Sequence, residues 1–175
     1  SWTELGWTDF LKAKNHISIG LLIGLASLLA IAALGLIFEA REFRPAHPLG
    51  EWGKHCLNTL GAAIAVGVLE ETLFRGMLFG LLRRDMNWRW AAVASALLFA
   101  SVHFIDQRPN ISEITWSTGF TAFPQFIHDF AHDPHWPAYA VNLFLAGLIL
   151  AGAFQRTGNL FIAIGIHAGW IIALK

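Results

Sequence analysis

The chain has 175 residues, enough for one domain of ordinary size. Apolar residues make up 55%, charged residues 14%, and mean hydropathy is +0.53, whereas a soluble domain carries about a quarter charged residues, so a water-soluble globule is excluded. The formal net charge of zero gives no electrostatic case for nucleic acid or an acidic partner.

Eight tryptophans and fourteen phenylalanines suit a membrane protein, where aromatic rings anchor at the interfaces. The one cysteine, Cys56, excludes an intramolecular disulfide and reads as a small apolar residue on a helix. The first apolar run has no small-residue cleavage site and is long enough to span, so it does not read as a cleavable signal. The abrupt opening at Ser1 and the helix-like end read as a fragment of a longer protein.

Residues 17–38 contain no charge and match the roughly 20 residues that a spanning helix requires. Residues 1–16 form a juxtamembrane segment before it, and 39–56, with Pro45 and Pro48, read as a loop. A second apolar stretch, Leu57 to Leu82, is interrupted by Glu70, Glu71 and Arg75. After a charged turn at 83–90, further helices are expected at about 90–104, 138–154 and 160–174. Gly158 and Asn159 make the tight turn before the last of these, where glycine suits a left-handed backbone.

The segment 105–137 mixes acids, histidines, prolines and aromatics and reads as partly helical, lying on the membrane face or dipping into the bundle. The expected fold class is therefore all-α: a polytopic transmembrane helical bundle of about five spanning helices, with 17–175 as its membrane domain. If each helix crosses once, the N-terminus and the two short turns share one side. That side holds Lys12, Lys14, Arg83, Arg84, Arg89 and Arg156, which marks it as cytoplasmic. The lipid bilayer is the medium, and the expected location is a bacterial inner (plasma) membrane.

Charges inside a spanning helix are expensive and usually face the interior or a water-filled cavity. Glu71 and Arg75 are four apart with the Glu N-terminal, the better orientation for an ion pair. Glu70 lies about 100° further around the helix and is not aligned with Arg75. One carboxylate is thus neutralised while the other stays available as a general base. The bland reading of the pair, a buried ion pair that fixes packing, does not account for the second Glu.

His103 sits on the last turn of its helix, where a lone histidine often snorkels to the interface. His167 lies in an otherwise uncharged apolar run, flanked by Gly165 and Gly169, whose spacing admits a neighbouring helix at close range. A buried histidine needs a partner, and the unpaired Glu70 is the expected one. A Glu and a His sharing a water, with a second His donating to a developing oxyanion, would perform hydrolysis. No HExxH, nucleotide-binding glycine loop or GxSxG competes, and neither Cys56 nor Ser101 has an evident base.

At these residues the chain resembles a known family. Glu70-Glu71-x-x-x-Arg75, Phe99-x-x-x-His103 and His167 on a final glycine-containing helix look like the CPBP family of CAAX prenyl endopeptidases, bacteriocin-processing and immunity-type (Abi) membrane proteins. The match covers roughly 57–174, and the run Gln155-Arg156-Thr157-Gly158-Asn159-Leu160 resembles the family as well. The resemblance implies an intramembrane endopeptidase acting on a membrane-associated peptide or protein. Glu70 would activate water with His103 as its partner, Glu71 and Arg75 would support it, and His167 would stabilise the oxyanion or position the water.

The family is described both as metal-dependent and as glutamate-type. Glu70, His103 and His167 have the donor types of a catalytic zinc site, and a metal-free Glu/His mechanism uses the same groups and is preferred. One position departs from the pattern: Ile171 stands where the family usually has Asn or Asp. Asn142 is a candidate substitute, though it reads first as an interhelical hydrogen bonder. His128, His132 and His135 with Asp129 and Asp133 could clip a metal, but read first as a solvated loop. Two other functions are weighed: an immunity or binding protein without catalysis, favoured by Ile171, and a small transporter or proton relay, disfavoured by the lack of an internal repeat.

Overall fold

The structure is a computed structural model that describes residues 2–40, 42, 52–105 and 135–175. All regular structure among them is helical. In chain order these are α1 (Phe10–Ile37), α2 (Trp52–Glu71), a π-helical segment (Thr72–Phe79), α3 (Gly80–Asp85), α4 (Trp88–Ile105), α5 (Trp136–Thr157) and α6 (Leu160–Leu174). From Trp52 to Asp85 the chain is one continuous rod that changes its winding in the middle.

Several helix starts differ from the sequence reading, all towards the N-terminus. Helix α1 starts at Phe10 rather than at 17, because Asp9 caps it: the carboxylate accepts the Leu11 amide at 3.0 Å. A cap nucleates the helix through polar residues that a hydropathy run cannot show. Likewise α2 starts at Trp52, within the stretch read as loop, and α5 starts at Trp136 with Pro137 in its first turn, where a missing N–H is harmless. The 39–56 prolines and most of 105–137 lie outside the described residues.

Among the described residues two helices are long and apolar enough to cross a membrane, Ala13–Ile37 (25 residues) and Trp136–Thr157 (22 residues), and Leu160–Leu174 is a shorter apolar helix. The apolar side chains of α1 are not a buried soluble core. Leu22, Leu29 and Ile37 are 65%, 61% and 71% exposed on the outer surface, a surface suited to lipid.

Helix α6 is the centre of the fold, held on one side by α1 through paired glycines. A Cβ at Gly20 or Gly24 would strike the Ile162 or Ile166 carbonyl, and one at Gly165 or Gly169 would strike the Ile17 or Leu21 carbonyl. The two backbones therefore touch, as small residues allow in membranes. Trp170 Nε1 donates to Ser27 Oγ across the same seam at 2.9 Å. A second core joins Phe79, Ala91, Ala92, Ala151, Phe154 and Leu160, and α4 meets α5 where Gly147 lies against Ala96.

The ends are tied as well. At one end the Leu160 amide donates to the Gly6 carbonyl at 3.0 Å, Arg84 pairs with Glu4 at 3.3 Å, and Arg83 donates to Gln155 at 3.3 Å. The N-terminal segment, the α3–α4 turn and the α5–α6 turn thus share one end of the structure. At the other end His55 Nε2 donates to the Lys175 carbonyl at 2.7 Å. Gly158 closes the α5–α6 turn at φ +67°, a left-handed position, and its N–H donates to the Phe154 carbonyl.

Candidate active site

The winding changes where the charges fall. The α-helix ends at Glu71 and the π segment starts at Thr72, whose hydroxyl donates back to the Val68 carbonyl at 2.6 Å. π-helical turns are rare and frequent at functional sites. From α4, Ser95 Oγ donates to the Phe74 carbonyl at 3.1 Å, gripping the segment from outside.

Glu71 and Arg75 are 0% and 1% exposed, and Arg75 Nη1 donates to Glu71 Oε1 at 3.0 Å. The guanidinium is satisfied further by the Gly147 carbonyl at 3.4 Å and lies over the Phe99 ring, 4.4 Å from its centroid. Cation–π contact strengthens when both groups are desolvated, as here. His167, on α6, places Nδ1 2.8 Å from the same Glu71 Oε1. One carboxylate oxygen thus serves an arginine and a histidine at once.

Glu70 faces elsewhere and is 26% exposed. Its Oε2 lies 3.5 Å from His103 Nε2 and 3.9 Å from His167 Nε2. These are ion-pair distances beyond good hydrogen bonds, and Glu70 Oε2 has no hydrogen-bond partner within the protein, nor have Glu71 Oε2 and Arg75 Nε. Buried polar atoms left this way call for water or substrate. His103 is steered by its Nδ1, which donates to the Phe99 carbonyl at 2.9 Å. The Phe99 ring also lies 4.4 Å from the His103 ring and 6.2 Å from that of His167.

The structure therefore brings together Glu70, Glu71, Arg75, His103 and His167 from three consecutive stretches of sequence. One partner differs from expectation: the hydrogen bond of His167 goes to Glu71, not Glu70. The helix face that carries Glu71 meets α6, and a carboxylate oxygen with two lone pairs accepts from two donors. Assigning Glu71 wholly to Arg75 overlooked this capacity. Asn142 is exposed on α5, and Ile171 is half-buried.

Two contributors, Ser95 and the Gly147 carbonyl, escaped the sequence reading, and a third was read without its contacts. Ser95 shares the α4 stripe of Phe99 and His103 at spacings of four, a signal that was present. Phe99 was noticed as part of a motif, without its contacts to Arg75 and to both imidazoles. The Gly147 carbonyl left no signal, since any residue has one. Cys56 is exposed, and Ser101 Oγ donates to the Leu97 carbonyl at 2.8 Å, so neither joins the site.

Among the described residues no group of three or more His, Cys, Asp or Glu is arranged to hold a metal ion. Glu70, His103 and His167 are the zinc-type donors that a metal would use, with Glu70 Oε2 3.5 and 3.9 Å from the two Nε2 atoms. His128, Asp129, His132 and Asp133 lie outside the described residues, and His135 precedes α5.

A family model described as type II CAAX prenyl endopeptidase Rce1-like matches residues 52–173. No curated protein and no solved structure gives a significant match. The matched span begins with α2 and ends within α6, so it contains every member of the cluster.

Proposed function

We propose, for a chain that belongs to the type II CAAX prenyl endopeptidase Rce1-like family, that Glu70 and His103 activate a water which hydrolyses a peptide bond of a membrane-associated protein or peptide. The family is membrane-integral and supports a protease-type enzyme. The observation that carries the mechanism is the partly exposed Glu70 carboxylate facing the Nε2 atoms of His103 and His167 at 3.5 and 3.9 Å. Around it stand helices that we read as a polytopic bundle of about five crossings, with the buried cluster opening into its interior.

In this reading the water sits between Glu70 and the two imidazoles. Glu70 takes its proton as the oxygen bonds to the scissile carbonyl carbon, and the C=O electron pair moves onto the carbonyl oxygen. When that pair returns, the C–N bond breaks and the proton passes to the leaving amine. Glu71 and Arg75 form a neutral buried pair that holds the helices in register and touches no substrate. The substrate is expected to be cut near a terminus or a helix end, and a prenylated one is not required, since a fold does not fix a substrate.

The purified protein in lipid, incubated with a library of membrane peptides, tests this. Wild type is expected to cleave some member, with a rate about 10²–10⁴ times that of Glu70→Ala, the contribution of a positioned general base. A parallel arm with a chelator tests the zinc expectation, and unchanged cleavage there supports the metal-free route. Folded wild-type protein that cleaves no member, or a Glu70→Ala variant as active as wild type, would sink the reading.

A further inference from the structure

Each imidazole is anchored through Nδ1 to an oxygen that accepts. His103 Nδ1 lies 2.9 Å from the Phe99 carbonyl, and His167 Nδ1 lies 2.8 Å from Glu71 Oε1. A backbone carbonyl has no hydrogen to give. Glu71 Oε1 already accepts from Arg75 Nη1 at 3.0 Å, as a carboxylate paired with a guanidinium. Both Nδ1 atoms therefore carry the hydrogen, and in a neutral imidazole the second nitrogen is then an acceptor only.

Both of those second nitrogens face Glu70 Oε2. Three lone-pair atoms meet with no donor among them, and Glu70 Oε2 is buried without a hydrogen-bond partner. Such a trio repels itself unless a cation or a hydrogen is placed inside it. A water supplies two hydrogens.

We propose that Glu71 is a positioning residue that fixes His167 in its Nδ1–H tautomer, so that Glu70, His103 and His167 form an all-acceptor socket for one water. Residue 71 then acts through His167 and never touches the substrate. Ile171, one turn further along α6, has no hydrogen to donate to an oxyanion. A neutral His167 has no hydrogen at Nε2 to offer an oxyanion. The proton released by the water to Glu70 has only to pass on to His167 Nε2 to make an imidazolium, whose new N–H donates to the carbonyl oxygen as charge develops there. The donor is thus made by the reaction. When the tetrahedral adduct collapses, that proton leaves with the amine and the socket is restored.

The activity readouts rest on the hydrolytic reading above, while the tautomer can be measured without any cleavage. The test is nitrogen-15 NMR of histidine-labelled full chain in lipid, at a pH where the imidazoles are neutral, with His103→Gln and His167→Gln used to assign the signals. Expected are pyrrole-type shifts at Nδ1 and pyridine-type shifts at Nε2 for both residues. An Nε2–H tautomer at His167 in wild type overturns the proposal, whether or not the protein proves to be a protease. In Glu71→Gln the His167 tautomers should mix while His103 is unchanged. Its kcat should fall about 10–100-fold with little change in KM, as for other outer-shell partners of a catalytic histidine, and Glu71→Asp should recover part of the loss. A folded Glu71→Gln protein with an unmixed His167 tautomer and wild-type kcat would also overturn it.

Discussion

The two faces of α6 do opposite work with residues two positions apart. Gly165 and Gly169 press against Gly20 and Gly24 of α1, backbone against backbone. His167, about 200° around the same helix, points into a cluster of two glutamates, an arginine and a second histidine. The first face is held by shape. In lipid there is no hydrophobic gain from apposing two apolar helices, so close van der Waals contact between small residues must hold them. The second face is held by charge, where each ion is expensive unless partnered. The glycine seam fixes how closely α6 lies on α1, while the separate packing of α6 on α2, where Gly67 lies against Ile164, brings His167 to Glu71. One helix thus carries a seam without chemistry and a site on different faces.

The contrast can be broken from either side, most severely from the charged one. Replacing Arg75 by Met removes the cation against Phe99 and leaves the buried Glu71 carboxylate with only the His167 N–H as partner. Stability is expected to fall by about 3–5 kcal/mol, read by reversible unfolding in mixed detergent micelles, and a loss under about 1 kcal/mol would mean that water reaches the pair freely. On the other face, Gly165→Ala adds a single methyl that strikes the Ile17 carbonyl. About 1–3 kcal/mol of overpacking is expected. If α1 merely shifts to absorb the methyl, stability is kept, and the claim that this seam fixes how closely α6 lies on α1 fails.

Between the two lies Ser95, which carries no charge yet reaches the π segment. Ser95→Ala leaves the Phe74 carbonyl without its donor, for about 1 kcal/mol. Cleavage should fall with it, because the grip on the segment that carries Arg75 is lost; wild-type activity would mean that the π winding stands without Ser95. Smallest of all, Arg84→Gln breaks a pair whose side chains are 61% and 62% exposed. Thermal unfolding should move by no more than about 0.5 kcal/mol of stability. A larger change would show the end tie at Glu4 to be as important as the interior.

Much of this was legible from residues alone. Charge-free runs located the helices, since a bilayer admits little else. Three charges within six residues of one apolar stretch, and a histidine inside another, announced a buried site for the same reason. The spacing of four between Glu71 and Arg75 stated their pairing, because helix geometry fixes which residues share a face. Helix starts were less legible: the Asp9 cap carries α1 back through polar residues that hydropathy scores as loop.

What the sequence determined by itself was thus the medium, the helices and the cast of ionisable residues. All three follow from local periodicity and from the cost of charge in lipid. What only the tertiary structure decided was the pairing between helices. His167 and Glu71 are separated by 96 positions, and their meeting depends on how α6 packs against α2, where Gly67 lies against Ile164. No spacing within one helix encodes such a relation. It arises from the packing of several backbones at once, and it assigned Glu71 to His167 and left Glu70 facing the two remaining imidazole nitrogens.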